Sequence, residues 1–132
     1  MPTYTEIKHN GRTYFSETEL KCKGTGKLIL ADGFAEKLLE LRLRWNKPMI
    51  INSACRDAEY NLKVGGSPKS YHICNDERGG CSAIDVRCNN GKDRLELVRL
   101  GIELGWSIGV NKSFIHLDQR SLLGIEPVLF TY

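Results

Sequence analysis

The segment Phe114-Ile-His-Leu-Asp118 alternates apolar and polar side chains, which is the pattern of a β-strand buried on one face only. Successive side chains of a strand point to opposite faces. Ile115 and Leu117 therefore share the face that is turned to a hydrophobic core. His116 and Asp118 share the other face, so the strand presents an imidazole and a carboxylate side by side.

A second segment, Ala83-Ile-Asp-Val-Arg87, shows the same alternation. Its two aliphatic residues face the core, and Asp85 lies on the opposite face. If the two segments are adjacent strands, Asp85 joins His116 and Asp118 in one shallow site. His72 precedes the second segment in a loop and could complete that site.

The rest of the chain predicts two longer helices and several short elements. Apolar spacing predicts helices over 32–45 and 93–104. Ser16 is a candidate N-cap of a further helix, and residues 57–63 are typical of a short helix. Strands are expected over 12–15, 49–51, 106–110 and 127–132, with a hairpin at Asn111-Lys112 and otherwise loop over residues 1–31. Helices first and strands later predict an α+β fold, a small antiparallel sheet with flanking helices.

Length and charge limit the class of protein. A chain of 132 residues with 41% hydrophobic and 27% charged residues predicts one globular domain over residues 1–132. No apolar run reaches the roughly 18 residues of a membrane helix, and Met1 to Asn10 hold no hydrophobic signal core, so no membrane partner is expected. A net charge of +3 is too small to indicate a nucleic-acid partner.

Two histidines and one carboxylate are a familiar ligand set for catalytic zinc. Imidazole and carboxylate atoms bind zinc at about 2.0–2.2 Å and leave a fourth position for water, whose pKa the ion lowers toward about 7. A second carboxylate nearby could accept the proton of that water. Spacing alone leaves this assignment open, because pairs of His and Asp are common.

The five cysteines offer alternative sites. Their number is odd, so complete internal pairing is impossible. A closed zinc cluster of His72, Cys74, Cys81 and Cys88 is one alternative, although its gaps of six residues differ from the usual Cys-x2–4-Cys knuckles. A Cys74–Cys81 disulfide and a cysteine nucleophile paired with a histidine are two others.

Several motifs then occur in a fixed order along the chain. They are Ser53-Ala-Cys-Arg56, Asn61, Val64-Gly-Gly66, Ser70-Tyr-His72, Ala83-Ile-Asp85, Gly109-Val110 and Phe114-Ile-His-Leu-Asp118. In this order they resemble the zinc D-Ala-D-Ala carboxypeptidase family, which includes many phage endolysins and shares its fold with the hedgehog signalling domain. The resemblance covers about Phe15 to Asp118. Upstream, the motif Tyr14-Phe-Ser-x-x-Glu-Leu20 resembles the corresponding segment of the small phage-type members.

The resemblance implies a zinc-dependent peptidase that hydrolyses peptide bonds of peptidoglycan stem peptides or cross-links. One zinc ion would be held by His72, Asp85 and His116. The expected partner is a peptidoglycan peptide, and the protein is expected to be a monomer. It would pass from the host cytoplasm to the cell wall during phage lysis, or be part of a virion.

Three further residues are given roles, Arg56 and Ser70 by the resemblance and Asp118 by its place on the same strand face as His116. Arg56 would bind a carboxylate or carbonyl of the substrate, which suits its planar guanidinium. Ser70 would hydrogen-bond the substrate or orient the ligand loop. Asp118 is expected to be the general base, and its alternative role is to orient His116.

The chain departs from the family pattern at two places. His72 and Asp85 are 13 residues apart where about seven are usual, so Ile73 to Gly79 contain an insertion; such a loop costs little closure entropy. Several relatives carry an acid or histidine three residues before the last ligand, and here that position is Ser113. Ser113 favours the alternative of a non-catalytic virion or wall-binding module that keeps the fold.

Overall fold

The computed structural model describes residues 6–132. Its elements in chain order are β1 (Ile7–His9), β2 (Arg12–Phe15), α1 (Glu17–Leu20), α2 (Phe34–Trp45), β3 (Ile51–Ser53), α3 (Ala58–Lys63), β4 (Ala83–Arg87), α4 (Gly91–Glu103), β5 (Ser107–Val110), β6 (Phe114–Asp118), a 3-10 helix (Arg120–Leu123) and β7 (Leu129–Thr131). The expected α+β fold is confirmed. No helix of the described residues combines the length and apolar character needed to cross a membrane.

The main sheet has five strands in the order β3-β4-β6-β5-β7. The first three pairings are antiparallel, and the predicted hairpin joins β5 to β6 through residues 111–113. β7 pairs in parallel with β5, so the expectation of a purely antiparallel sheet is wrong at this edge. The 3-10 helix after β6 turns the chain, so that β7 runs opposite to β6. Because β5 is antiparallel to β6, β7 is parallel to β5.

The register of β4 against β6 confirms both alternation patterns. Asp85 lies opposite His116, while the aliphatic pairs Ile84–Leu117 and Val86–Ile115 lie opposite each other. These four aliphatic side chains are buried in the core. The two central strands therefore divide the protein into an apolar side and a side that carries the polar pair.

Helices α2 and α4 supply the other half of the core. Phe34, Leu38 and Leu41 of α2 are completely buried, which confirms three residues of the predicted apolar stripe, and Trp45 at its end is half-buried. The ring of Phe34 meets the ring of Trp106 edge to face at 5.8 Å. This packing holds the face of the sheet that is opposite to the polar pair.

The amino-terminal part is more ordered than the expected loop. Residues 1–5 of that loop lie outside the described residues; β1 and β2 form a hairpin, with β2 at the predicted position. Ser16 and Glu19 form a reciprocal capping box at the start of α1. The strand predicted over 49–51 is shifted to Ile51–Ser53, although the Ile50 carbonyl already accepts a hydrogen bond from the Arg87 N–H.

Gly80 allows the segment before β4 to pair with the backbone at Leu30, outside the main sheet. Cys81 forms a parallel bridge with Leu30, and the Ala31 N–H donates to the Cys81 carbonyl at 2.9 Å. Gly80 has φ +141°, and a Cβ atom there would lie 2.5 Å from the Ala31 nitrogen. Only glycine fits a position that combines this φ with so close a backbone approach.

We therefore expect Gly80→Ala to lower the free energy of unfolding by more than about 2 kcal/mol, because it adds a backbone clash to the cost of a positive φ. Urea denaturation measures the change. Gly11→Ala is the matched control, since Gly11 also has a positive φ (+80°) but no atom within 4 Å of the added Cβ. Equal losses in the two variants would contradict the steric account.

Candidate metal centre

Three predicted ligands meet on the polar side of the sheet. Asp85 and His116 are the register pair of β4 and β6, and His72 comes from the loop that precedes β4. One ligand atom from each of the three lies within 4.8 Å of the other two. Asp85 Oδ1 is 2.9 Å from His116 Nδ1 and 3.2 Å from His72 Nε2. Among residues 6–132 these are the one group of three or more such residues that could hold a metal ion.

In each imidazole the nitrogen that points away from Asp85, here called the outer nitrogen, is hydrogen-bonded to another residue. His72 Nδ1 lies 2.6 Å from the carbonyl oxygen of Ala54, and His116 Nε2 lies 2.8 Å from Asp118 Oδ2. A carbonyl or carboxylate oxygen only accepts, so both outer nitrogens donate. This arrangement fixes the tautomer and the orientation of each ring.

The ring nitrogens that face Asp85 are suited to bind a cation. Burial lowers the pKa of His72, which is 2% exposed and therefore neutral near pH 7. Since its Nδ1 donates, its Nε2 carries a lone pair that points at Asp85. Two electron pairs 3.2 Å apart repel each other unless a positive ion lies beside them. The donor set is the nitrogen and oxygen set that zinc prefers, so the residues fit the metal.

The charges of Asp85 and His116 follow from their contacts. Burial raises the pKa of Asp85, but the hydrogen bond with the His116 imidazole outweighs it and holds the pKa well below its usual range. Burial lowers the pKa of His116, but hydrogen bonds with Asp118 and Asp85 outweigh it and raise the pKa. A metal ion bound at this site would therefore displace a proton from His116.

Asp118 does not lie where a general base would have to lie, at the surface of the cavity. It is completely buried, and it is absent from the lining of the cavity that opens onto the three ligands. Arg120 donates to both of its carboxylate oxygens, through Nε at 2.9 Å and Nη2 at 2.7 Å. Burial raises the pKa of Asp118, but Arg120 and His116 outweigh it, so the pKa is lowered. This geometry favours the alternative role, in which Asp118 orients His116.

Arg56 lies beside the triad, as expected. Its Nε donates to Ser53 Oγ at 3.0 Å and its Nη1 to Asn61 Oδ1 at 3.2 Å, while Nη2 is 3.5 Å from Asp85. A Cβ at Gly66 would lie 2.3 Å from Asn61 Oδ1, so the glycine of this motif makes room for the Asn61–Arg56 contact. Arg56 therefore lines the cavity in a fixed orientation.

The two serines that the sequence singled out differ in position. Ser70 lines the cavity, and its hydroxyl accepts a hydrogen bond from the His72 N–H at 3.1 Å, which fits the role of orienting the ligand loop. Ser113 is absent from the cavity lining and donates to Asn111 at 3.2 Å. Among residues 6–132, the only carboxylate that lines the cavity is that of Asp85.

The cysteine alternatives are not formed. All five cysteines are buried free thiols, so Cys74 and Cys81 are not joined by a disulfide. Cys55 contacts both Cys74 and Cys81, while the four ring nitrogens of His72 and His116 are taken up by oxygen atoms. Neither the four-residue zinc cluster nor a thiol–imidazole pair occurs among the described residues.

Strand periodicity missed the residues that surround the triad. Arg120 follows the end of β6, where the alternation stops. The ring of Phe130 in β7 is tilted by 54° against that of His116 with 5.5 Å between the ring centres, and Tyr132 lines the same cavity. Arg120 also lies 4.6 Å from the centre of the Tyr71 ring. The spacing Asp118-x-Arg120 is the one local signal that could have indicated the ion pair.

The fold and the donor set together define a site that could hold one metal ion. A family model described as Peptidase M15 matches residues 13–118, about four-fifths of the chain. The chain belongs to this family, and the resemblance to zinc D-Ala-D-Ala carboxypeptidases is confirmed. No curated protein and no solved structure gives a significant match.

We expect the purified protein to bind one zinc ion per chain, and His116→Ala to lose it, because two of the three ligands cannot hold the ion alone. Affinity should fall as the pH falls through the raised pKa of His116, since zinc must displace that proton. Metal analysis after dialysis measures both effects.

His9→Ala is the matched control for this experiment, because His9 is the one remaining histidine and lies exposed on β1. It should keep the full zinc content. A His116→Ala variant that retains one equivalent of zinc would contradict the ligand assignment.

Proposed function

We propose that the protein is a zinc-dependent peptidase that hydrolyses peptide bonds of peptidoglycan stem peptides or cross-links. The observation that carries the proposal is the convergence of His72, Asp85 and His116 at a cavity of about 430 Å³ that Arg56 also lines. Membership of the Peptidase M15 family supports peptide hydrolysis, and the phage-type motifs favour a role in lysis of the host wall or in a virion.

When bound by these three residues, zinc would polarise a substrate carbonyl and lower the pKa of a water molecule. The chain itself supplies the orientation. His72 and His116 are locked by Ala54 and Asp118, so their ligand nitrogens stay directed at one point. Arg56, held by Ser53 and Asn61, offers its guanidinium to a carboxylate or carbonyl of the peptide.

We infer that Asp118 is a positioning residue and not the base. Its oxygens are occupied by Arg120 and His116, and it is shielded from the cavity. Proton transfer from water would need an acceptor within hydrogen-bond reach of the cavity. Ser70, which also lines the cavity, orients the loop of His72 and remains available to a substrate through its hydroxyl.

The absence of a second carboxylate from the cavity lining favours one other candidate, a wall-binding or virion module that retains the fold and the metal but does not hydrolyse. Turnover discriminates the two. We expect peptidoglycan fragments incubated with the zinc-loaded protein to yield new free amines or terminal alanine by mass spectrometry, and chelator or His116→Ala to abolish them. Intact fragments with and without added zinc would instead support the binding module.

Asp118→Asn distinguishes a positioning residue from a base. We expect its zinc affinity to fall about 10- to 100-fold, because the hydrogen bond that orients His116 is weakened. Excess zinc should then restore most of the hydrolytic rate. Chelator competition and rate measurements over a zinc series test this expectation.

Asp32→Asn, an exposed carboxylate before α2, is the control and should change neither quantity. An Asp118→Asn variant that stays inactive when fully loaded with zinc would show that Asp118 takes part in the proton transfer itself.

A further inference from the structure

A second cavity, of about 200 Å³, adjoins the cavity of the metal triad. Arg56 and Val64 line both cavities, so the two cavities are adjacent. The second cavity is lined further by Lys21, Lys23 and Tyr60. We call it the lysine pocket.

The lysine pocket carries positive charge that, among the described residues, is compensated only at Arg56, which is paired with Asp85 on the side of the metal triad. Its lining contains Lys21, Lys23 and Arg56 but no acidic residue. Neither lysine forms an ion pair with any residue in 6–132, whereas Lys27 and Lys47 elsewhere on the surface each lie 2.9 Å from a carboxylate. Several cations in one concave site attract an anionic group more strongly than the same cations on an open surface.

The backbone around the two lysines is held in place. The Cys55 N–H donates to the Leu20 carbonyl at 3.0 Å, which ties the end of α1 to the segment that leads into Arg56. The loop after Lys21 is closed by the Cys22 N–H, which donates to the Lys27 carbonyl at 2.8 Å. The ammonium group of Lys23 donates to the Asn52 carbonyl, which leaves two of its N–H groups for a ligand.

We propose that the lysine pocket binds a carboxylate group of the peptide substrate, next to the part of the peptide that Arg56 holds. The inference rests on the proposed function and adds a substrate class to it: peptides that carry an acidic group away from the bond at the metal centre. A carboxylate accepts several hydrogen bonds at once, so it can contact both ammonium groups.

Paired synthetic stem peptides test the proposal. One peptide carries the free acid and the other an amide at the same position, and both have ketomethylene groups in place of the main-chain amides, so that the zinc-loaded protein into which they are titrated cannot hydrolyse them. We expect the acid to bind about three- to tenfold more tightly, and the difference to shrink at high salt, because part of the attraction is exposed to solvent.

The double variant Lys21→Met, Lys23→Met removes both charges but keeps most of each aliphatic stem. It should bind acid and amide equally. Lys92→Met, on the exposed first turn of α4, is the matched control and should keep the preference for the acid. Unchanged thermal midpoints for both variants show that the comparison is made on folded protein.

Equal binding of acid and amide by the unaltered protein, or a preference that survives in the double variant, overturns the proposal. Lack of binding by either peptide overturns it too, but leaves hydrolysis of peptidoglycan fragments as a separate result. A preference for the acid in a protein that does not hydrolyse the fragments supports the lysine pocket and contradicts the proposed peptidase activity.

Discussion

The contact between Asp85 and two imidazoles is the interaction on which the site depends. A carboxylate that is 5% exposed is stable only when its charge is compensated, and here the compensation comes from His116 on the neighbouring strand and from Arg56, whose Nη2 lies 3.5 Å away. The pairing of β4 with β6 fixes the distance between Asp85 and His116. A slip of one residue in that register would place Asp85 on the apolar face and expose the aliphatic side chains.

A second layer of contacts supports the first. Asp118 and Arg120 form a buried ion pair behind His116, and the Arg120 guanidinium packs against the rings of Tyr71 and Phe130. Arg78 of the insertion packs 4.8 Å from the centre of the Tyr71 ring. The orientation of His116 is thus coupled to β7 and to the loop after His72, two segments that contribute no ligand. An arginine that is stacked and bidentate in this way is not replaceable by lysine.

Much of this arrangement is predictable from the sequence, and the rest fails for identifiable reasons. The alternation of apolar and polar residues predicted that Asp85 and His116 lie on the same face of the sheet. This prediction is possible because one side of each strand is buried, which allows only one register. The same alternation placed Asp118 beside His116 but carried no information on its burial, which depends on Arg120 beyond the strand end. The parallel pairing of β7 was missed because strand direction is set by the connection and not by the strand's own residues.

His72 was found through its motif and not through periodicity, since it lies outside any strand. The insertion that follows it is held at both ends. The Cys74 N–H donates to the Arg56 carbonyl, and the Ser82 N–H donates to the Tyr71 carbonyl, so the ligand positions are set by backbone pairing on either side of residues 75–79. Because these residues lie between fixed points, the loop can change length without moving His72 or Asp85, provided that Arg78 keeps its contact with Tyr71. A change in this loop would therefore act on the cavity through Lys69 and Ser70, whose carbonyls Arg78 contacts, and would leave the metal ligands in place.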